Sequence, residues 1–127
     1  VPRLLERAAV AASNATLSHC DAIADNHAAV LGTILGRLAL SGRDKVTFIT
    51  SPTLASFGDW VEQLIAESTG KEGRGIVPIV GEPPAPLESY GADRLFVHLR
   101  LEGDATNDAF VTALAAAKGL GGPHGHL

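Results

Sequence analysis

Two hydrophobic periods alternate along this chain. Residues 3–13, "RLLERAAVAAS", set Leu4, Leu5, Ala8 and Ala12 along one side of a helix. The following "NATLSHCDAIAD" has no period and reads as a loop. In "NHAAVLGTILGRLALSG", Leu31, Ile34, Leu35 and Leu38 keep the i, i+3, i+4, i+7 spacing of a buried helix face. Asp25 or Asn26 can cap its start and Gly42 its end. Gly32 and Gly36 lie one turn apart, where another backbone could approach or glycine is simply tolerated. The period then changes. "KVTFIT" (45–50) is β-branched and aromatic and predicts a strand. Ser51-Pro52 opens a helix, serine at N-cap and proline at N1. Phe57, Trp60, Val61, Leu64 and Ile65 continue that helix over 53–69 against a core.

A second strand is expected at "GIVPIV" (75–80), a proline-rich loop at "GEPPAPLESYGAD", and a third strand at "RLFVHLRL" (94–101). "NDAFVTALAAAKG" (107–119) predicts a capped helix. Strand, helix, strand, loop, strand, helix implies right-handed crossovers and a parallel sheet covered by helices. Three strands are few for this class, and a helix ending at Gly119 with no strand after it suggests a truncated sheet.

Composition narrows the partners. Of 127 residues 46% are apolar, which supports a packed core and argues against disorder. The net charge is −4 with no basic run, so nucleic acid and anionic membranes are poor partners. No apolar segment is long enough to span a bilayer, and no basic-then-apolar leader is visible. Cys20 stands alone, so no internal disulfide can form and a reducing, cytoplasmic setting is the default. Asn14-Ala15-Thr16 fits the glycosylation pattern but means little there. The chain has no methionine and starts Val1-Pro2, which reads as a piece of a longer protein.

The candidate chemistry centres on the end of the second long helix. Glu67 shares a helical side with Trp60, Gln63 and Leu64 and sits where the helix carbonyls end. The negative helix end and partial burial both disfavour a carboxylate charge, which suits a recyclable proton acceptor. On the residues alone, a solvated glutamate at a helix end is the simpler reading. Gly70 is expected to end the helix in the left-handed region, and Ser68 or Thr69 to satisfy backbone groups or line a pocket. Lys71 could meet an anion or complement the helix terminus, while Arg74 reads as a solvated loop residue. "GKEGRG" is not a phosphate-binding loop: Ile65 holds the required upstream glycine position and Glu72 follows the lysine. Ser51 and Thr53 open a helix after a strand, where α/β sheets bind anions, yet capping is the better reading for Ser51. His98 reads as a packed core histidine and His27 as a solvated or capping one. Cys20 has only the adjacent His19, so no nucleophilic role is expected. His124 and His126 form an H-x-H pair in a tail, 120–127, that reads as disordered or foreign sequence.

"SPTLASFGDWVEQLIAESTGKEGRGIVP" closely resembles phosphoglucose isomerase, that is glucose-6-phosphate isomerase. The likeness rests on Pro52, Leu54, Phe57, Trp60, Gln63-Leu64, Glu67-Ser68-x-Gly70-Lys71, Gly75-Ile76 and Pro78. "NHAAVLGTILGRLALSGRDKVTFITSP" and "DRLFVHLRLEGD" look like the isomerase part of bifunctional transaldolase/phosphoglucose isomerases, and the likeness covers about residues 1–117. The resemblance implies a sugar-isomerase (SIS) fold, a parallel sheet of three or more strands flanked by helices, with residues 1–119 as part of a second SIS domain. It implies interconversion of glucose 6-phosphate and fructose 6-phosphate through a cis-enediol, with no metal or organic cofactor. Glu67 takes the place of the family's catalytic base, with Gln63, Ser68, Thr69, Gly70 and Lys71 as expected substrate contacts. It implies as partners the sugar phosphate, the remainder of the isomerase chain and a homo-oligomer. The family also uses a glycine-glycine-arginine segment, a histidine and a C-terminal lysine, and its main phosphate cluster lies in the first SIS domain. None of these has a matching position here. The rival readings are a non-catalytic SIS-type sugar-phosphate-binding module and an inert truncated product.

Overall fold

A computed structural model describes residues 1–16 and 26–117. They divide into two compact units, residues 1–37 and residues from 38 onward. The predicted loop through His19, Cys20 and Asp25, the end of the last helix at Gly119, and the tail with His124 and His126 lie outside the described residues.

In the first unit, helix α1 (Pro2–Asn14) starts on a proline, whose missing N–H costs nothing at a helix start. It buries no residue: Leu4, Leu5 and Val10 are all exposed. Helix α2 (His27–Leu40) opens on Asn26 as the capping pattern requires. The Ala29 N–H donates to Asn26 Oδ1 at 2.9 Å, and Asn26 Nδ2 donates to the Ala15 carbonyl at 3.1 Å. These bonds explain why a polar side chain is buried there. A Cβ at Gly32 or Gly36 would meet open space, so among the described residues no other backbone approaches either glycine.

The second unit begins with the end of α2. Gly42 takes a φ of 90°, its N–H donates to the Ala39 carbonyl, and the Arg43 N–H reaches back to Leu38. That pair of bonds is a Schellman cap, and it explains why glycine follows the last apolar turn. Strand β1 (Lys45–Thr50) then forms the centre of a three-stranded parallel sheet. β2 (Val77–Ile79) pairs on one side and β3 (Arg94–Leu99) on the other. Lys45 is level with both Val77 and Arg94, and Thr50 with Leu99. Parallel neighbours need a crossover, and helix α3 (Ala55–Thr69) supplies it between β1 and β2.

The chain is therefore α/β, as its period switches predict, with three parallel strands and four α-helices among the described residues. The boundaries differ in instructive ways. β2 is three residues rather than the expected 75–80, because Pro78 has no N–H to donate and glycines with φ of 158° and 63° flank it at 75 and 81. β3 stops at Leu99 rather than 101, because the Leu101 N–H leaves the ladder for Ser51 Oγ, 3.0 Å away. Pro52–Leu54 is a 3₁₀ turn, and the α-helix begins at Ala55.

Val46, Val61, Tyr90 and Leu114 form the core of this unit. Tyr90 meets Phe96 edge-on at 5.2 Å and Phe110 of helix α4 (Asp108–Ala117) at 6.3 Å. Such pairs add about 0.5–1.5 kcal/mol each beyond burial. Its hydroxyl accepts the Ala85 N–H at 2.9 Å, which ties the proline-rich loop to the core.

Candidate functional site

The end of α3 is built from backbone. The Gly70 N–H donates to the Ala66 carbonyl at 2.9 Å. Gly70 sits at φ −75°, ψ 87°, not in the left-handed region its sequence position suggested. Glycine is required for a different reason: a Cβ there would lie 2.6 Å from the Ala66 oxygen. The left-handed residues come later. Glu72 (φ 53°) and Gly73 (φ 75°) form a two-residue turn, closed by reciprocal backbone bonds between Lys71 and Arg74, both 2.9 Å. Positive φ at both central positions is the type I′ geometry that favours glycine. Gly75 then returns against the helix end, where a Cβ would come within 2.9 Å of Gly70 Cα. Thr69 joins the two segments. Its hydroxyl donates to the Ile65 carbonyl at 2.8 Å and accepts the Ile76 N–H at 2.9 Å. Of the two roles open to it in sequence, Thr69 takes the backbone one.

This frame holds Glu67 on the exposed side of the helix. Gln63 Nε2 donates to Glu67 Oε1 at 3.1 Å. The same side carries Phe57 and Trp60, whose rings are 5.5 Å apart, and Leu64. Here the structure corrects the sequence reading. Phe57, Trp60 and Leu64 are 42%, 58% and 46% exposed, and α3 faces the sheet with Gly58 and Val61 instead. The partial burial expected of Glu67 is likewise not found: its side chain is exposed, as are the apolar residues on its side of the helix. Ser68 and Lys71 are also exposed. An open groove of about 480 Å³ lies beside the same helix end. Glu62, Ala66, Gly70, Arg74 and Val77 line it together with Asp44, and Glu67 does not.

Ser51 lies at the opposite, carboxyl end of the sheet. Its side chain makes no cap. The buried hydroxyl accepts the Leu101 N–H instead, and Asn107 Nδ2 donates to the Thr50 carbonyl at 2.9 Å. Asp104 completes this corner. The Thr106 hydroxyl and N–H, and after them the Ser51 hydroxyl, hold its carboxyl down at about 2. These groups are satisfied by one another, so the corner is structural. The contacts of Asp104 with Ser51 and of Asn107 with Thr50 had no sequence signal, since those partners lie more than fifty positions earlier in the chain.

Ion pairs brace the rest. Arg100 grips Asp108 with two bonds of 2.8 and 3.0 Å and lowers that carboxyl. Lys45 bonds to Asp93, lowering the acid and raising the lysine. Arg94 bonds to Glu82 and to Thr47 Oγ1 and lies 5.4 Å over the Tyr90 ring. His98, expected in the core, is only half-buried in β3, and His27 is exposed at the start of α2.

No family model, curated protein or solved structure matches the chain. Among the described residues no helix is long and apolar enough to cross a membrane.

Proposed function

We propose that this chain is part of an aldose–ketose isomerase that interconverts glucose 6-phosphate and fructose 6-phosphate, with Glu67 as its proton-transfer base. The observation that supports the reading is the placement of Glu67. A flexible carboxylate is tied at one oxygen to Gln63, on a helix end fixed by Thr69, Gly70 and the Lys71–Arg74 turn. It stands beside a partly exposed apolar stripe of Phe57, Trp60 and Leu64. In the proposed reaction, Glu67 takes the proton from C2 of the open-chain aldose, and the C2 electron pair forms the C1=C2 bond of the cis-enediol as the C1 carbonyl oxygen takes up a proton. Glu67 then returns its proton to C1 as the O2 hydroxyl gives one up and becomes the C2 carbonyl. One carboxylate does both transfers at carbon, and the proton exchange between O1 and O2 falls to other groups or to solvent.

The exposure of Glu67 bears on how the site is completed. Chemistry needs the base together with electrophilic support and a phosphate grip. Other parts of the longer protein, or a second subunit, would supply these and cover the stripe. The isolated chain is therefore expected to be inactive, and we propose that the assembly is a cytoplasmic homo-oligomer. The same exposure favours a second reading, a sugar-phosphate-binding module without catalysis.

Glu67→Gln in the full-length protein separates the two. It preserves size and hydrogen-bonding shape but removes the base. Turnover and solvent exchange of the substrate C2 hydrogen should both fall by roughly 10²–10⁴-fold, with substrate binding kept. Exchange at the wild-type rate in E67Q would refute the role of Glu67. Absence of both turnover and exchange in the wild-type protein, with sugar phosphate still bound, would establish the binding module.

A further inference from the structure

We infer that Gln63 is a positioning residue for the Glu67 carboxylate rather than a contact to substrate. The inference rests on the isomerase reading above and refines it. Gln63 and Glu67 are one turn apart, and their heads are joined by the 3.1 Å bond from Nε2 to Oε1. Helix α3 also carries Asp59 and Glu62 but no lysine or arginine, and Glu67 takes part in none of the ion pairs among the described residues. Leu64, on the same side, has no polar group, and Trp60, whose indole N–H is a donor, lies seven residues before Glu67, about two turns away.

This donor has chemical consequences. A glutamate has three rotatable bonds, and an exposed one at a helix end samples many directions. A base that removes a proton from carbon needs one oxygen held toward that carbon before the reaction begins. The Gln63 amide occupies Oε1 and leaves Oε2 as the proton acceptor. Because the amide is neutral, it orients the carboxylate without holding it as one half of an ion pair. A lysine at position 63 would orient it equally well but would stabilise the ionised form and oppose proton uptake.

The test is Gln63→Met in the full-length protein, with Glu67→Gln alongside. Methionine keeps the length of the side chain and removes the donor, and the site is exposed, so folding is expected to survive. The melting temperature of each variant checks this. If Gln63 orients the base, kcat and C2-hydrogen exchange fall together by about tenfold, the worth of a hydrogen bond to a charged group, while KM stays within about twofold. A rise in KM, with or without a change in kcat, would make Gln63 a substrate contact and overturn the inference. Unchanged kcat and KM would make the bond a surface contact and overturn it equally. Failure of the underlying isomerase reading looks different: it is exchange persisting in E67Q, whatever Q63M does.

Discussion

Replacing Thr69 with valine removes one hydroxyl and almost nothing else. The two side chains match in shape, and both are β-branched, so helix propensity and packing hardly change. Two bonds are lost. The bond to the Ile65 carbonyl, 2.8 Å, costs little, because that carbonyl already serves the helical ladder. The bond from the Ile76 N–H, 2.9 Å, matters more, since it joins the end of α3 to the segment that enters β2. With valine that N–H faces a methyl group. A stranded buried donor costs about 1–3 kcal/mol, and for this half-buried one about 1–1.5 is the better figure. For a unit of this size that lowers the melting temperature by about 5–10 °C. Thr69→Ser keeps the hydroxyl and should stay within about 0.5 kcal/mol of wild type. Urea unfolding of the purified chain, followed by Trp60 fluorescence and by circular dichroism, reads both variants. If T69V unfolds at the wild-type midpoint, the hydroxyl does not hold the helix end, and the account given for the placement of Glu67 fails with it.

Two further outcomes follow from the same geometry. Gly75→Ala should destabilise the unit by about 1–3 kcal/mol, since its Cβ would press on Gly70 Cα and the backbone must move; an unchanged urea midpoint would refute that packing. Acid should weaken the carboxyl-end corner. The Asp104 carboxyl is lowered from 3.8 to about 2, so its contribution is complete above pH 3.8 and is lost as pH falls toward 2. Ser51→Ala removes one of the donors responsible, so in a circular-dichroism titration its acid transition should begin at higher pH than wild type. Coincident curves would show that Ser51 does not support the carboxylate.

Much of this protein was legible in one dimension because the relevant physics is local. The change from helical to strand spacing at Lys45, the Asn26 cap and the Gly42 stop depend on neighbours within one or two turns. The two helix ends are set by short-range bonds, from the Ala29 N–H to Asn26 Oδ1 and from the Arg43 N–H to the Leu38 carbonyl, and the spacing change by the side chains themselves. The candidate base was not legible in this way: on the residues alone Glu67 read as a solvated glutamate, and its role came from the family resemblance, while the spacing showed only that Gln63 lies one turn from Glu67. Only the tertiary structure decided which apolar side of α3 is buried. Its hydrophobic residues cover more than one face, and the sheet took Gly58 and Val61, leaving Phe57, Trp60 and Leu64 outside. The periodicity measures the amount of apolar surface and not which part of it meets a partner. Ser51 was decided at the same level. In sequence it is a serine before a proline, and capping is the obvious use of its hydroxyl. In the fold, parallel pairing brings the end of β3 alongside, and the Leu101 N–H takes the oxygen first. Arg94, Glu82 and Tyr90 meet across a loop in the same way. Contacts between residues so far apart in the chain exist only once the strands have paired, and pairing is a choice among alternatives that no local pattern encodes.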